Sequence, residues 1–415
     1  IHLEGGWLSH PFPLSSFKLA TAQQIATVRN LGLKEVRWLP EKSDAAESAP
    51  VPAPPAPGAP TAPGSAQVVV LAVPAAASAA GAAGPDPTAA ERELARHAAR
   101  QFAEAAGAWR EAHAAVAANP GGAGAQALKL AQAMLQKMMV DGDMRIRLIP
   151  DAGDRNAAHA LNVTVVSMLI ARNLGLEPEV MVDLAVGALM HDIGKQDVPD
   201  RFRHAESGFS AAELNAYRDH VAKGLLQGRR MGLSAGALSV LAQHHEHVDG
   251  SGFPQRHGVD KLTMASRIVA IVNRYDNLCN PGARGQALTP HEAVATLFAQ
   301  GRTRYDATVL NAFIRMMGVY PAGSLVQLTD ERYGMVVAVN ASRPLRPRVL
   351  VSDGNGESPR ARILDLESVS DLGIRRSLPA AKLPMAVLQA LDPRPRVAYF
   401  FEPLQQARAA VALAA

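Results

Sequence analysis

The sequence predicts a mainly α fold, a helical bundle with a small N-terminal domain and a C-terminal β-hairpin appendage. Three observations lead there. From about 88 to 318 the apolar residues recur at helical spacing, in segments opened by capping residues. Beyond Gly318 the pattern changes to short β-branched runs. Between 48 and 64 stand seven prolines with almost no large apolar side chain, a semi-rigid linker that separates residues 1–44 from the rest. The expected divisions are 1–44, a small N-terminal domain; 45–87, a Pro/Ala-rich linker; 88–150, a helical connector; 151–320, the catalytic-type domain; and 321–415, the β appendage and C-terminal tail.

Within the linker, Val68-Val69-Val70-Leu71-Ala72-Val73 reads as a short strand. Thr88 with Glu91 reads as a capping box opening a helix to about 118. Asn119-Pro120-Gly121-Gly122 breaks it, and 124–141 resumes with Leu128, Ala131, Leu135 and Met138 on one face. This pair is read either as a bundle or homodimerisation element or as a plain helical spacer. His159 falls on a helix over 155–174, and Pro178 opens the helix that delivers His191 at its end. Ser210 with Glu213 caps the helix expected to carry His220, Ser234 caps the one ending in His244-His245, and Thr289 with Glu292 opens the next. Residues 324–328, 332–340 and 349–352 are the expected strands.

A chain of 415 residues, 48% hydrophobic, has room for two or three domains and a sizeable core. One cysteine, Cys279, excludes an internal disulfide and suits a reducing cytoplasm. No apolar run approaches the ~18 residues of a membrane span, and no signal peptide is visible, so a cytoplasmic protein is expected. The chain starts at Ile1 without a methionine, which reads as a start truncated or disordered upstream. A net charge of +4 without a dense basic block argues against a nucleic-acid partner and suits a small anionic one.

The chemistry concentrates in His159, His191-Asp192, His220 and His244-His245. Imidazole and carboxylate donors in this number suit Fe, Mn, Ni or Zn better than Ca or Mg, and paired ions of that kind hydrolyse phosphate esters. The two doublets are expected at helix ends, where adjacent side chains can both turn inward, with Gly194 and Asp249-Gly250-Ser251-Gly252 as helix stops. A single helical histidine is more often a satisfied core or surface residue, so His2, His10, His97, His113, His204, His247, His257 and His291 are given no role.

The run His191-Asp192-Ile193-Gly194-Lys195, the stretch His244-His245-Glu246 to Gly252-Phe253-Pro254, and Gly318-Val319-Tyr320-Pro321 together resemble the HD-GYP family of the HD superfamily, bacterial enzymes that hydrolyse cyclic di-GMP. The resemblance covers about 155–340. Residues 1–44, with Trp7-Leu8-Ser9-His10-Pro11-Phe12 and Gly32 to Trp38, are similar to a domain of unknown function that often precedes such domains. What this implies is an HD-superfamily bundle holding one or two divalent transition metals, Fe or Mn foremost. His159, His191, Asp192, His220, His244, His245 and Asn273 would be the ligand positions, with Asp192 and Lys195 in catalysis. Lys195, Gly252, Phe253, Pro254 and Arg284 would bind substrate. The exposed Gly250–Pro254 loop would offer a contact for a signalling protein.

The departures from the family are also informative. Asn273 stands where the family has a metal-ligating aspartate, with Asp276 one turn on and expected to reach the site through water. Arg155 stands where some members have a glutamate for a third metal. Phe253 replaces the tyrosine of the family's name, and Arg284 is what remains of an arginine-rich stretch. With Asp192 as the one carboxylate ligand, metal binding is expected to be weaker or mononuclear and catalysis impaired. Three readings remain open: cyclic di-GMP phosphodiesterase, a degenerate module that binds nucleotide or partner without turnover, and a hydrolase of another phosphorylated metabolite.

Overall fold

The computed structural model describes residues 19, 25, 28, 29 and 36, and then 87–404 apart from 141, 205–207, 283–286 and 353–360. Apart from those five residues the expected N-terminal domain, the linker up to 86 with its strand at 68–73, and Arg284 lie outside the described residues.

Two long helices, α1 (Pro87–Ala115) and α2 (Pro120–Met138), lead into strand β1 (Met144–Leu148). The bundle follows: α3 (Arg155–Asn173), α4 (Pro178–Met190), α5 (Ala211–Arg218), α6 (His220–Arg230), α7 (Ala235–Gln243), α8 (Met264–Cys279), α9 (Pro290–Gln300) and α10 (Ala307–Met317). At its centre is α3, whose side chains from Ala157 to Ala171 are buried except at His159. A helix apolar on every side belongs inside a bundle, and α3 packs against both α4 and α8. The caps at Asp154, Ser234 and Thr263 and the capping boxes at Ser210 and Thr289 fix the entry of five of these helices.

Two local expectations change. Glu91 lies inside α1, and its carboxylate pairs with Arg147 of β1 at 2.7 Å and with Arg348, so it ties α1 to the sheet instead of closing a capping box. The helix capped by Ser210 stops at Arg218, and His220 begins a separate helix after Asp219.

The expected hairpin is present as β2 (Leu325–Leu328) and β3 (Tyr333–Asn340), paired antiparallel with Val326 opposite Gly334. It belongs to a larger antiparallel sheet with β4 (Arg348–Ser352), β5 (Ala361–Asp365), β6 (Ile374–Ser377) and β7 (Tyr399–Pro403), beside the short helix α11 (Met385–Leu391). The order β5-β4-β3-β1-β7 places β1, which precedes the bundle, between strands that follow it. The sheet therefore clamps both ends of the bundle together. Tyr399 of β7 reaches inward, its hydroxyl 2.9 Å from that of Tyr275 on α8. Among the described residues no helix is long and apolar enough to cross a membrane.

Candidate metal centre

Helix ends build the centre. His191 follows the last residue of α4, His244 the last residue of α7, and His220 stands at the break between α5 and α6. The last carbonyls of a helix lack intrahelical partners. Each of these imidazoles fills one three residues back: Nδ1 of His191 donates to Ala188 at 2.8 Å, that of His220 to Tyr217 at 2.6 Å, and that of His244 to Leu241 at 2.9 Å. A carbonyl only accepts, so the proton is on Nδ1 and the Nε2 lone pair faces the interior. His159, in mid-helix, reaches the same state through a carboxylate, its Nδ1 lying 2.6 Å from Oδ2 of Asp276.

The four Nε2 atoms converge in pairs. Those of His159 and His191 are 3.1 Å apart and those of His220 and His244 are 3.3 Å apart. Asp192 lies between the pairs: Oδ2 is 3.5 Å from His159 and 3.4 Å from His191, and Oδ1 is 3.6 Å from His220 and 3.9 Å from His244. His245 joins the second group, giving two sets that could each hold an ion, His159-His191-Asp192 and Asp192-His220-His244-His245.

The arrangement fits metal ions on its own geometry. Bonds of about 2.1 Å place neighbouring ligand atoms about 3.0–3.4 Å apart, close to the spacings here. Lone pairs that face one another across 3.1–3.3 Å repel unless a cation or proton lies between them. Buried Oδ1 of Asp192 has no hydrogen-bond partner although it is aimed at two imidazoles.

Electrostatics prepare the ligand forms. Burial pushes His191 down to about 4 and drives His244 and His245 well below the ordinary histidine range, keeping them neutral. His159 differs: burial works against its charge, but hydrogen bonds to Asp192 and Asp276 outweigh it and hold the imidazole up to about 9, so the Nε2 proton facing Asp192 is one that an ion would have to displace. The Asp192 carboxyl sits well below its usual range: burial opposes its charge, and Lys195 and His191 overcome that.

Close backbone approach sets the positions. A Cβ on Gly194 would lie 2.0 Å from the His220 carbonyl oxygen, so this glycine lets the segment after Asp192 rest on α6. It is not the helix stop expected of it, since α4 has already ended at Met190. A Cβ on Gly252 would similarly strike the 245–247 backbone. Buried Glu246 accepts the amide hydrogens of Gln255, Arg256 and His257 at 2.7, 3.1 and 3.1 Å, which fixes the loop that stacks Phe253 on His245 at 4.5 Å. From the connector, Trp109 Nε1 donates to Leu189 at 2.8 Å and Gln196 donates to the His113 carbonyl at 2.8 Å, so α1 braces both flanks of His191-Asp192.

Two cavities open on the centre. One of ≈ 760 Å³ is lined by His244, His245, Gly252, Phe253 and Asn273. The other, ≈ 280 Å³, is lined by His159, His191 and Asp192, and Lys195 borders both. Lys195 Nζ is 2.6 Å from Asp192 Oδ2, so its charge is held at the shared carboxylate. Asn273 is buried in the wall of the larger cavity, where its Oδ1 accepts from Asn277 at 2.7 Å. On the His159 side the acid is Asp276, which meets the imidazole directly, without the water expected between them. Pro254 is exposed beside the loop.

Several residues of the site escaped the sequence reading. Arg218, Arg274, Arg304 and Tyr305 line the larger cavity, with Arg218 5.2 Å over the Phe253 ring. Tyr217 places its hydroxyl 3.3 Å from His245 Nε2, supplying the phenol that Phe253 lacks. His113 and His204, given no role above, border the smaller cavity. None of these carried a spacing signal; Tyr217 alone, three residues before His220, lay where a helical neighbour search would find it.

Residues 143–309 match the family described as HD domain, and residues 1–127 match a domain of unknown function, DUF3391. The chain is thus an HD-domain protein with that N-terminal domain, as its motifs imply. It is 29% identical over 218 residues to a cyclic di-GMP phosphodiesterase of Pseudomonas aeruginosa, covering 52% of this chain and 51% of the relative. It is 32% identical over 153 residues to the cyclic di-GMP phosphodiesterase response regulator RpfG of Xanthomonas campestris pv. campestris, covering 36% of this chain and 40% of the relative. The chain therefore spans about half the length, or less, of these two curated relatives. Among solved structures it is similar to an HDG"Y"P protein from Bdellovibrio bacteriovorus, with a TM-score of 0.41 and 18% identity, over 52% of this chain and 71% of that one.

Proposed function

We propose that this chain is a metal-dependent phosphodiesterase that hydrolyses cyclic di-GMP at a two-ion centre. The observation that carries the reading is Asp192, whose two oxygens each face a different histidine group. Iron or manganese held there would activate water and neutralise the charge developing on the leaving oxygen. His159, His191, Asp192, His220, His244 and His245 would be the ligands, and Nδ1 anchors hold the Nε2 atoms of His159, His191, His220 and His244 inward. Lys195 stands where a phosphate would enter from either cavity. Phe253 and Tyr305 offer ring faces for a base, while Arg218, Arg274 and Arg304 supply the positive wall for which Arg284 was first considered. The relatives' activity on cyclic di-GMP supports the choice of substrate.

A second reading, binding without turnover, draws support from Asn273, a neutral amide already engaged by Asn277. The loop at Gly250–Pro254, tied down by Glu246, would then be a partner contact. The deciding experiment is hydrolysis of cyclic di-GMP by anaerobically purified protein supplied with Mn or Fe(II), alongside Asp192→Asn. Turnover in the parent that vanishes in the variant supports the enzyme; nucleotide binding with no turnover under any metal supports the module.

A further inference from the structure

The smaller cavity carries more positive charge than a metal pocket needs. Its floor is His159, His191 and Asp192. Arg155, at the first position of α3, and Arg396, just before β7, reach it from opposite ends of the sequence. The other charged groups around it are already matched: Lys195 with Asp192 at 2.6 Å, Arg203 with Asp200 at 2.9 Å, and Asp276 with His159 at 2.6 Å and with amide donors of Asn162 and Asn280 at 2.7 and 2.9 Å. Arg155 and Arg396 have no carboxylate partner among the described residues. Among the described residues each makes one long bond to a carbonyl, Arg155 to Asn280 at 3.5 Å and Arg396 to Gly153 at 3.4 Å. Burial and the nearby Arg396 disfavour charge on Arg155, and Asp276 offsets them in part. Two guanidinia turned toward one small space, repelling each other and with most donors unused, are complementary to a dianion.

We propose that this cavity is a phosphomonoester subsite, in which Arg155 and Arg396 hold the terminal phosphate of a linear nucleotide beside the centre. The inference rests on the phosphodiesterase reading and extends it. The ≈ 280 Å³ cavity supplies the two guanidinia for a phosphate, while the ≈ 760 Å³ cavity supplies the ring faces of Phe253 and Tyr305 for a base. Opening a cyclic dinucleotide creates one terminal phosphate, so the subsite would distinguish the linear product from the cyclic substrate. Arg155 thereby has a use at a position where its charge would repel a third cation.

The test compares binding of phosphorothioate-linked linear guanine dinucleotides, with and without a 5′-phosphate, to the metal-loaded protein. The parent is expected to prefer the 5′-phosphorylated ligand by about tenfold or more. Arg396→Gln should reduce that preference to within about twofold while affinity for the unphosphorylated ligand stays level, and Arg396→Lys, which keeps charge but loses the fork, should fall between. A parent with no preference, or Arg155→Gln and Arg396→Gln variants that keep it, would overturn the subsite. Inorganic phosphate is the second probe. If it competes in an Arg396-dependent way the subsite also accepts free phosphate; if only the nucleotide competes, the phosphate's source is the nucleotide. Arg396-dependent phosphate binding with no binding of any guanine dinucleotide would sink the substrate assignment and leave the subsite standing.

Discussion

Half of the centre, around His159 and His191, is backed by a second carboxylate, whereas His220 and His244 in the other half are backed by peptide carbonyls alone. Asp276 grips His159 and is itself braced by Asn162 and Asn280. Behind His220 and His244 stand the carbonyls of Tyr217 and Leu241, and in the cavity wall beside His244 and His245 stands Asn273. Orientation is equally good in both halves, because a carbonyl fixes an imidazole as well as a carboxylate does. Charge is not equal. A carboxylate behind a ligand raises its basicity and offsets part of a dication's burial, and a carbonyl does this less. The first half should therefore hold its ion more tightly, with Asp192 common to both.

The largest expected effect follows from that shared residue. Asp192→Asn should lower metal affinity in both halves by at least about 100-fold, measured by metal content after dialysis, and remove turnover. Asp276→Asn should be selective, weakening one ion about 10–100-fold and leaving the other in place; equal loss of both would erase the distinction between the halves.

The cluster of five histidines and Asp192 was legible because these residues are chemically distinctive and their spacing is set by helix length. Its partners were not. Asp276 could be placed one turn from Asn273 but not on His159, since that contact depends on how α8 packs on α3. Arg396 lies more than two hundred residues from His159 and His191 and enters the cavity because β7 pairs with β1. The hairpin could be read from its β-branched runs, but the sheet that contains it is closed by a strand before the bundle. Glu91 followed a capping pattern, yet buried Arg147 and partly buried Arg348 outcompete a local cap. The break at Asp219 had no proline or glycine to announce it.

Asn273→Asp should sharpen the contrast from the other side. The change is nearly isosteric, keeps an acceptor for Asn277, and adds a negative charge beside His244 and His245. Affinity of the weaker ion should rise several-fold, about 1 kcal/mol, with a parallel gain in hydrolysis. An unchanged weaker ion would place residue 273 outside its reach.

The smallest effect is a control outside both halves. Lys137 on α2 is buried, which brings its ammonium down to about 8 despite opposing attraction from Glu104. Its folded value lies below the ordinary 10.5, so the folded state is penalised below about pH 8 and the penalty fades as pH rises toward 10.5. Lys137→Met should remove this pH dependence, so that the parent gains stability relative to the variant between about pH 8 and 10.5 in denaturant titrations, and should alter neither metal.

The central claim is that two ions share Asp192. Electron paramagnetic resonance of protein loaded anaerobically with two equivalents of Mn(II) tests it most directly. A carboxylate bridging ions about 4 Å apart should give an exchange-coupled spectrum, lost in Asp192→Asn. Only isolated-ion signals at two bound equivalents, or a coupled spectrum that survives Asp192→Asn, would contradict it.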